Sequence, residues 1–505
     1  MMKVAFRLDA SAQIGSGHFM RCLTLAEALK RAGATTRFVS RQLPDRFVQM
    51  LNRGGHECSP ISGDQLGGPD RDLRHSHWLG TSQAHDAQQT IRALADDSWD
   101  WLIVDHYALD ARWESALRGS AQMIAVIDDI SDRAHHCDLL VDQNLQTGSR
   151  DRYADKVPKN CRMLLGPRYA LLREEFRGLR ERAAPRDGMA QRILIFFGGF
   201  DADNFTGHAI EAAAGLGASV LHVDVVIGAH HPHGEDIAAQ CRRHGFICHV
   251  QTERMAELIA AADLAIGAGG TAVWERCCLG LPALTICTAE NQKEQIAAAA
   301  GAGLVYAPEY VGAATVFIQR HTLALMENRV LRGSISNACL LAVDGRGAAR
   351  VADSITGADI QIRAATADDA RNLFAWRNDP GVREVSRSRG LIEWSAHQAW
   401  LAAVLSSSDR HLLIGEHQGS PVGVVRFDVK DEDAEISIYL VPGRQPFGRG
   451  RSLLQCAERW LVANRPKVGR IRAEVLAGNE RSKGLFLGAG YECEFASYSK
   501  RLDRP

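Results

Sequence analysis

Short apolar runs and amphipathic stretches alternate along the first third of the chain. The apolar runs are KVAFRLDA, TTRFVSR, DWLIVDHYALD and QMIAVIDDI, and the amphipathic stretch HFMRCLTLAEALKRAG follows the first of them after a loop. Runs of this length fit buried strands, and the amphipathic stretch fits a helix with one buried face. Strands that alternate with helices predict a parallel sheet covered by helices. We therefore expect an α/β domain over residues 1–175.

The same pattern restarts near residue 192. The new apolar runs, each followed by a helical stretch, are RILIFFGG, HVDVVIG, FICHVQT, DLAIGAGG and ALTICT. They predict a second α/β domain over residues 190–355. The charged segment between the two domains contains Pro185 and Gly188, as expected of a connector.

The pattern changes again near residue 358. From there the chain gives the order strand, two helices, three close strands, helix, strand, helix and strand. The three close strands are HLLIGEHQ, PVGVVRFDV and AEISIYLV, joined by a Gly-Ser-Pro turn and by an acidic KDED turn. We expect a third domain, of the α+β class, over residues 361–505.

The charge balance argues against a polyanionic partner. Charged residues make up 24% of the 505 residues and the net charge is -1, so no long basic field is available for nucleic acid or a membrane surface. The start of the sequence lacks a signal-peptide pattern, and no apolar run reaches the roughly 18 residues of a membrane span. We expect a cytoplasmic protein whose partners are small molecules and whose self-association, if any, is weak.

Neither the cysteines nor the histidines predict a metal site. The twelve cysteines form no C-x-x-C pair, which favours reduced and mostly buried thiols, among them Cys277 and Cys278. The histidine clusters HSH and HHPH lack a cysteine or carboxylate at ligand spacing. Asp201 and Asp203 form a D-x-D pair after FFGG, but Asp203 is placed to cap the next helix. No metal cofactor is therefore expected.

The loop RLDASAQIGSGH follows the first predicted strand. In an open α/β sheet, ligands bind at the carboxyl ends of the strands, beside the N-termini of the following helices. Gly15 and Gly17 let the backbone approach such a ligand, and His18 would project from the first helical turn into the cleft. The alternative is that His18 only bonds a carbonyl of its own loop. Position alone favours neither.

A second glycine loop lies in ADLAIGAGGTAVWERCCLGLP. Gly269 and Gly270 close a strand, Thr271 opens a helix, and Glu275 lies one turn further along the same side. A diphosphate at the start of such a helix would bring a ribose near the carboxylate. This G-G-x-x-x-x-E pattern resembles the nucleotide half of two-domain sugar-nucleotide enzymes of the glycosyltransferase-B architecture. The resemblance implies two Rossmann-like domains with the active site in the cleft between them.

Four segments resemble one further family across nearly all of residues 1–355. They are FRLDASAQIGSGHFMRCLTLAEAL, IVDHYALD, VIDDISDRAHHCDLLVDQN and LGPRYALLREEF. They are similar to the UDP-sugar hydrolases of pseudaminic-acid biosynthesis, which convert UDP-2,4-diacetamido-2,4,6-trideoxy-β-L-altropyranose into the free sugar and UDP. The resemblance implies that His18 is the family's glycine-loop histidine, Tyr107 its D-H-Y tyrosine, and Asn291 its asparagine after the last core strand. Asp105, in the D-H-Y segment, is a further candidate for substrate contact.

Such a hydrolysis needs a base more than an acid. UDP departs as an anion without protonation, whereas water must lose a proton, and a histidine near neutral pH can accept it. His18 is the candidate base, with Tyr107 or a carboxylate such as Asp105 as the alternative catalytic group. The amides of Gly270 and Thr271 would stabilise the charge on the departing diphosphate without a metal.

The third domain contains a glycine loop between a strand and a long helix. In YLVPGRQPFGRGRSLLQCAERWL, Gln445, Gly448 and Gly450 fit the pattern Q/R-x-x-G-x-G/A, which forms a nest of N–H groups for a pyrophosphate. With IRAEVLAGNERSKGLFLGAGYE, this segment resembles the GNAT N-acetyltransferases, so acetyl-CoA is the implied cosubstrate. The resemblance implies cofactor contacts at Gln445, Gly448, Arg449, Gly450 and Asn479. The opening ATADDARNLFAWRNDPGVREVSR resembles the GNAT that acetylates the 4-amino group in the same pathway.

Acetyl transfer to an amine needs a nearby base. Glu435, on the strand before the glycine loop, is the candidate, and the alternative is a solvated carboxylate at a strand edge. The tyrosine that serves as acid in many GNAT enzymes is replaced here by Phe486, so the proton donor is unassigned. Tyr491 is expected to be a packed strand residue.

The sequence therefore predicts a bifunctional enzyme of two consecutive steps. The GNAT domain would acetylate UDP-4-amino-4,6-dideoxy-N-acetyl-β-L-altrosamine, and the hydrolase would then release UDP. One alternative is a UDP-sugar glycosyltransferase, in which an acceptor hydroxyl replaces water at His18. The other is a non-catalytic sugar-nucleotide-binding or scaffolding protein, against which the intact His18 and Glu275 argue.

Overall fold

The chain forms two compact units. One comprises residues 1–159 and 163–352, and the other comprises residues 160–162 and 353–505. The computed structural model describes residues 2–11, 13–61, 68, 70–146, 151–217, 222–357, 360–417, 419–443, 449–476 and 478–494. The first unit contains two sheets and the second unit contains a third sheet.

Seven strands form the first sheet. They are β1 (Lys3–Leu8), β2 (Thr35–Ser40), β3 (Glu57–Pro60), β4 (Trp99–Asp105), β5 (Ala121–Ile127), β6 (Leu139–Asp142) and β7 (Arg162–Leu165). Their order is β3-β2-β1-β4-β5-β6-β7, and the pairs from β3 to β6 are parallel. The accompanying helices are α1 (Gly17–Arg31), α2 (Asp45–Gly54), α3 (Gln83–Leu94), α4 (Ala111–Ala116) and α5 (Glu174–Arg180).

Five parallel strands form the second sheet. They are β8 (Arg192–Phe196), β9 (His222–Ile227), β10 (Ile247–Val250), β11 (Leu264–Ala268) and β12 (Ala283–Ile286), in the order β10-β9-β8-β11-β12. The accompanying helices are α6 (Phe205–Ala214), α7 (Gly234–His244), α8 (Met255–Ala261), α9 (Ala272–Cys278), α10 (Lys293–Gly301), α11 (Ala314–Glu327), α12 (Arg329–Ala342) and α13 (Gly347–Thr356). The strand order repeats that of the first five strands of the first sheet.

The apolar runs of the sequence become strands that are covered on both faces. Every residue of β6, β11 and β12 is buried. Because helices cover both faces of a parallel sheet, neither face needs polar side chains, and these strands are apolar except for Asp142 at the end of β6 and Thr285 in β12. The adjacent thiols of Cys277 and Cys278 are buried in the core of the second sheet, as expected.

The third sheet mixes both strand directions. Its strands are β13 (Gln361–Ala364), β14 (Arg410–His417), β15 (Ser420–Lys430), β16 (Asp433–Leu440) and β17 (Arg470–Ala473), in sequence order. The first four pair antiparallel, and β16 and β17 pair parallel. The helices are α14 (Ala370–Asn378), α15 (Pro380–Glu384), α16 (Trp394–Leu405), α17 (Arg449–Asn464) and α18 (Glu480–Gly488). Among the described residues, no helix is both long and apolar enough to cross a membrane.

The predicted fold class is confirmed. Two Rossmann-like parallel sheets are followed by an α+β domain, and each sheet falls within its predicted residue range, although the exact domain boundaries stay predictions. The third domain has one helix more than predicted before β14, because Asp379 caps the short helix α15 and Pro380 is its first residue. The predicted last strand, FASYSKRL, lies outside the described residues.

The predicted helix cap at Asp203 is wrong. Asn204 caps α6 instead, because its side chain accepts a hydrogen bond from the amide of Gly207. Its backbone is left-handed (φ 56°), a conformation that asparagine tolerates better than most residues. Asp201 stabilises the same turn, since its Oδ2 accepts hydrogen bonds from the amide and the hydroxyl of Thr206 at 2.6 and 2.8 Å.

A buried ionic cluster lies beside the first sheet. His135 Nδ1 lies 2.7 Å from Glu114 Oε1, and its Nε2 lies 3.9 Å from Asp128 Oδ2, with all three side chains fully buried. Burial alone would lower the pKa of His135, but the two carboxylates raise it to about 9. The protonated histidine therefore balances Glu114 at neutral pH, and it shares Asp128 with the buried Arg133, whose Nη1 lies 2.9 Å from Asp128 Oδ1.

We predict that His135→Gln lowers the melting temperature more at pH 7 than at pH 10. The folded-state pKa of His135, about 9, lies above the roughly 6.5 of an unfolded histidine. Its stabilising charge is therefore fully present below about pH 6.5 and is lost as the pH rises through about 9, a contribution on the order of 3 kcal/mol. Thermal unfolding followed by circular dichroism at both pH values measures the gap between wild type and variant. A gap that stays constant would contradict the assignment.

Candidate active site

Both predicted glycine loops lie where the strand order of their sheet reverses. The neighbours β1 and β4, like β8 and β11, are not consecutive in the chain, and such a reversal leaves a crevice at the carboxyl ends of the strands. The loop after β1 leads into α1, and the loop after β11 leads into α9. The two loops lie side by side, because a methyl group added to Gly17 would be 3.9 Å from Thr271 Oγ1.

His18 and Asp105 form a buried pair at the first crevice. His18 lies in the first turn of α1, and Asp105 is the last residue of β4. His18 Nδ1 lies 2.5 Å from Asp105 Oδ1, and the two residues are 7% and 0% exposed. Because an ionised carboxylate only accepts, Nδ1 is the donor in this pair, and Nε2 is the ring nitrogen that this bond leaves unused. His18 therefore bonds a carboxylate rather than a carbonyl of its own loop.

Arg21 keeps Asp105 ionised. It lies one turn after His18 on α1, and its Nε and one terminal nitrogen donate to the two oxygens of Asp105, both at 2.6 Å. Burial alone would raise the pKa of Asp105, but the charge of Arg21 and the hydrogen bonds hold it well below its usual range. The other terminal nitrogen of Arg21 donates to Asp129 Oδ2 at 2.9 Å. Asp105 is thus an anion at every pH at which His18 could act as a base.

Aromatic rings cover one side of His18. The ring of Tyr107 meets the imidazole edge to face, with centroids 4.6 Å apart, and Trp78 stacks on Tyr107 at 5.5 Å. The Tyr107 hydroxyl donates to Asp129 Oδ1. Burial, and then the charge of Asp129, raise the pKa of Tyr107 well above its usual range. Tyr107 is therefore a protonated phenol whose hydrogen is engaged with Asp129.

The loop after β11 combines an unusual backbone with a half-buried carboxylate. Gly270 has a φ of +82°, a left-handed conformation that favours glycine, and its carbonyl accepts a hydrogen bond from Gln295 Nε2 at 3.3 Å. Glu275 lies one turn into α9, with its Oε1 3.9 Å from a terminal nitrogen of Arg173. Burial raises the pKa of Glu275, and the charge of Arg173 opposes that shift.

A hydrogen bond joins the two sheets at this site. Trp274 on α9 is fully buried, and its indole Nε1 donates to Asn144 Oδ1 at 2.9 Å. The side-chain nitrogen Nδ2 of Asn144 in turn donates to Asp129 Oδ2 at 3.4 Å. Asp129 therefore accepts hydrogen bonds from Arg21, Tyr107 and Asn144.

Some of these residues left a signal in the sequence that the prediction did not use. Asp129 and Asn144 follow β5 and β6, so they are polar residues at the carboxyl ends of strands in the same sheet as the His18 loop. Arg21 lies three residues after His18, which places it on the same side of a helix. Trp274 carries no such signal, since a buried tryptophan on a helix is ordinary core. The predicted ligand Asn291 lies in a short 3-10 helix, and its side chain is outside the described residues.

The predicted cofactor loop of the third domain is only partly described. Gln445 and Gly448 lie outside the described residues, and Arg449 begins α17 with a side chain that is also outside them. Gly450 lies in the first turn of α17, where an added methyl group would lie 3.8 Å from Leu485. Asn479 caps α18, because its side chain accepts from the amide of Ser482 at 3.1 Å.

The strand before this loop extends past its neighbour. The pairing of β16 with β17 ends at Ile436 and Ala473, although β16 continues to Leu440. Glu435 on β16 is exposed, so the structure leaves both predicted readings of this carboxylate open.

Two further aromatic residues of the third domain pack together. Phe486 is buried and lies 4.9 Å, centroid to centroid, from Tyr491. The Tyr491 hydroxyl donates to Glu458 Oε1 at 2.9 Å. Tyr491 is packed as expected, but it lies in a loop and not in the predicted strand.

The described part of the chain contains no group of three histidine, cysteine, aspartate or glutamate side chains arranged for a metal. The first of the two histidine clusters in the sequence, HSH, contains His75, whose ring packs against Trp78 with centroids 4.5 Å apart. His231 Nε2 lies 4.0 Å from Asp201, whose oxygen is engaged with Thr206. The absence of a metal cofactor stays a prediction.

Known proteins match different parts of the chain. Residues 359–492 match the family model described as an acetyltransferase (GNAT) domain. The UDP-2,4-diacetamido-2,4,6-trideoxy-β-L-altropyranose hydrolase of Campylobacter jejuni is 25% identical over 296 residues, which cover 58% of this chain and 94% of that protein. The spore coat polysaccharide biosynthesis protein SpsG of Bacillus subtilis is 24% identical over 358 residues, or 69% of this chain and 96% of its own.

Two further likenesses extend the comparison. An uncharacterised protein of Methanocaldococcus jannaschii is 22% identical over 516 residues, which cover 97% of both chains. The crystal structure of Acinetobacter baumannii MurG aligns with 70% of this chain and 99% of its own, at 16% identity and a TM-score of 0.48. This chain joins two Rossmann-like parallel sheets to a domain that matches the acetyltransferase (GNAT) family model.

Proposed function

We propose that the chain is a bifunctional sugar-nucleotide enzyme. Its first two sheets hydrolyse UDP-2,4-diacetamido-2,4,6-trideoxy-β-L-altropyranose to the free sugar and UDP. Its GNAT domain supplies that substrate by transferring the acetyl group of acetyl-CoA to the 4-amino group of UDP-4-amino-4,6-dideoxy-N-acetyl-β-L-altrosamine. The observation that carries the hydrolase proposal is the buried His18–Asp105 pair, which lies beside the loop that contains Thr271. Similarity to the Campylobacter jejuni hydrolase over 94% of its length supports the choice of reaction.

His18 acts as the base and Asp105 as its positioning partner. Arg21 holds the pKa of Asp105 well below its usual range, which makes that carboxylate a poor proton acceptor. The hydrogen bond from Nδ1 fixes the tautomer in which Nε2 can take a proton from water. The water oxygen bonds to the anomeric carbon, the bond from that carbon to the phosphate oxygen breaks, and its electron pair leaves with UDP. Asp105 then stabilises the imidazolium that forms.

The loop after β11 receives the nucleotide in this proposal. The backbone amides of Gly270 and Thr271 face the developing charge on the diphosphate, and Glu275 accepts hydrogen bonds from the ribose hydroxyls. Glu275 is 22% exposed at its side chain, so a ligand can reach it, and Arg173 at 3.9 Å favours its ionised form. This arrangement needs no metal to neutralise the leaving group.

The GNAT domain uses acetyl-CoA in this proposal. Gly450 lies in the first turn of α17, the first helix after β16, and this is the place that the glycine pattern assigns to the pyrophosphate. Glu435 is the proposed base for the 4-amino group, directly or through water, and its exposure on β16 supports access to a substrate. Acetylation must come first, because the hydrolase acts on the diacetylated sugar.

Mass spectrometry of products tests both halves together. The chain is incubated with the UDP-4-amino sugar, with and without acetyl-CoA. We expect the acetylated UDP-sugar, then free diacetylated sugar and UDP, and neither step in the absence of acetyl-CoA. Release of UDP without any acceptor separates hydrolysis from glycosyl transfer. Tight binding of UDP without turnover would instead indicate a binding protein.

We predict that His18→Ala lowers the hydrolytic kcat by about two to four orders of magnitude, the usual contribution of a general base. The affinity for UDP should barely change, because His18 acts on water and not on the nucleotide. Steady-state kinetics and calorimetry measure the two quantities. His208→Ala, an exposed histidine on α6, is the control and should retain full activity. A near-normal kcat for His18→Ala would reject His18 as the base.

We predict that Glu275→Ala weakens UDP binding by roughly 10- to 150-fold, the equivalent of about 1.5–3 kcal/mol for a lost charged hydrogen bond. The ribose contact is the same in the ground and transition states, so KM should rise while kcat changes little. Isothermal titration with UDP measures the affinity. Glu257→Ala, an exposed glutamate on α8, is the matched control. Unchanged UDP affinity in Glu275→Ala would place the ribose elsewhere.

We predict that Gly450→Val in the full chain abolishes acetyl transfer and leaves hydrolysis of the pre-acetylated UDP-sugar intact. The added side chain crowds the space proposed for the pyrophosphate, whereas the hydrolase site lies in a different compact unit. Separate assays with each substrate measure the two rates. Gly469→Val is the control, since an added methyl group there meets nothing within 4 Å. Loss of both activities in Gly450→Val would mean that the two reactions are coupled.

A further inference from the structure

A continuous series of side-chain hydrogen bonds leads from the nucleotide loop to His18. It starts at Trp274 on α9, passes through Asn144 and Asp129, and reaches Arg21 on α1. Arg21 then holds Asp105, which holds His18 Nδ1. We call the first two members, Trp274 and Asn144, the bridging pair.

Each member of this series is fixed by burial or by several bonds. Trp274 is fully buried, and Asn144 is 8% exposed. The backbone amide of Asn144 is also held, since it donates to Asp142 Oδ1 at 2.9 Å. The indole can donate only one hydrogen bond, and the side-chain oxygen Oδ1 of Asn144 accepts it. The Asn144 amide must then point its nitrogen at Asp129, which sets the orientation of the whole side chain.

Through Arg21, the position of Asp129 affects the orientation of the His18 side chain. A guanidinium group is planar and presents its donors in a fixed fork. Arg21 uses one edge of this fork for both oxygens of Asp105 and the remaining nitrogen for Asp129. A shift of Asp129 therefore turns the guanidinium, and Asp105 and the imidazole turn with it. The direction of the Nε2 lone pair depends on a residue that does not touch His18.

We infer that Trp274 and Asn144 are positioning residues of the hydrolytic reaction. Through Asp129 and Arg21 they orient the His18 base from α9, the helix that also carries Glu275. The residue next to Trp274 is the proposed ribose ligand, so the same short helix that receives the nucleotide also orients the base. The inference rests on the proposed hydrolase function, and it adds a role for two residues that contact neither the water nor the nucleotide in that proposal.

The test compares two tryptophan-to-phenylalanine variants of the full chain. Trp274→Phe removes the donor of the bridging pair and keeps an aromatic ring in the core. Trp99→Phe is the matched control, because Trp99 is also buried and also loses one indole hydrogen bond, to the carbonyl of Leu94 at 3.1 Å. Hydrolytic kcat, KM, UDP affinity and melting temperature are measured for both.

We expect Trp274→Phe to lower kcat roughly fivefold to tenfold, the loss that one neutral hydrogen bond gives, with KM and UDP affinity unchanged. Trp99→Phe should keep the wild-type kcat, whatever its melting temperature. A wild-type kcat in Trp274→Phe, or an equal fall of kcat in both variants, overturns the inference. So does a change confined to KM and UDP affinity, because Trp274 would then serve the nucleotide alone.

A second variant keeps the test decisive if Trp274→Phe folds poorly. Asn144→Leu removes both hydrogen bonds of the amide while it keeps the branched, four-heavy-atom skeleton of the side chain, and it should lower kcat at least as much as Trp274→Phe. The double variant should fall no further than Asn144→Leu, because the indole acts only through the amide. Additive losses overturn the inference. A wild-type chain that releases no UDP overturns the proposed function and this inference together, whereas active wild type with unaffected variants overturns the inference alone.

Discussion

The site depends on one buried anion. Asp105 is fully buried at the end of β4, and it stays ionised because Arg21 grips both of its oxygens. Without that guanidinium the carboxylate would be protonated in the interior, and His18 would lose the partner that fixes its tautomer. Arg21 must itself be held in position, and the hydrogen bond that it donates to Asp129 does this.

The two Rossmann-like sheets supply complementary halves of the chemistry. In the proposed reaction, the reversal of strand order in the first sheet contributes the base, and the reversal in the second sheet contributes the loop for the nucleotide. Neither half is sufficient, since the water that the base activates can displace only a leaving group that is correctly oriented. The two loops meet at Gly17 and Thr271, since a methyl group added to Gly17 would be 3.9 Å from Thr271 Oγ1.

Sequence patterns located the strands and the glycine loops, because a parallel sheet imposes apolar runs and places ligand loops at fixed ends of strands. They did not locate the bond between Trp274 and Asn144, which joins residues 130 positions apart and depends on how the two sheets pack. The predicted cap at Asp203 was wrong by one residue, because Asn204 can also accept a hydrogen bond and its side chain is the one that accepts from the amide of Gly207. The role of Glu435 stays a prediction, since exposure alone does not separate a base from a solvated carboxylate.

The burial of Arg21 and Asp105 determines how dissolved salt affects this ion pair. Dissolved salt screens charges that counterions can approach, over a Debye length of about 8 Å at physiological ionic strength. With side chains 5% and 0% exposed, this ion pair is sheltered from such counterions. In the proposed reaction, the diphosphate of an arriving substrate is not sheltered. Added salt should therefore change the rate at which enzyme and substrate associate. The electric field that the neighbouring charges produce at His18 should be the same at low and at high salt concentration.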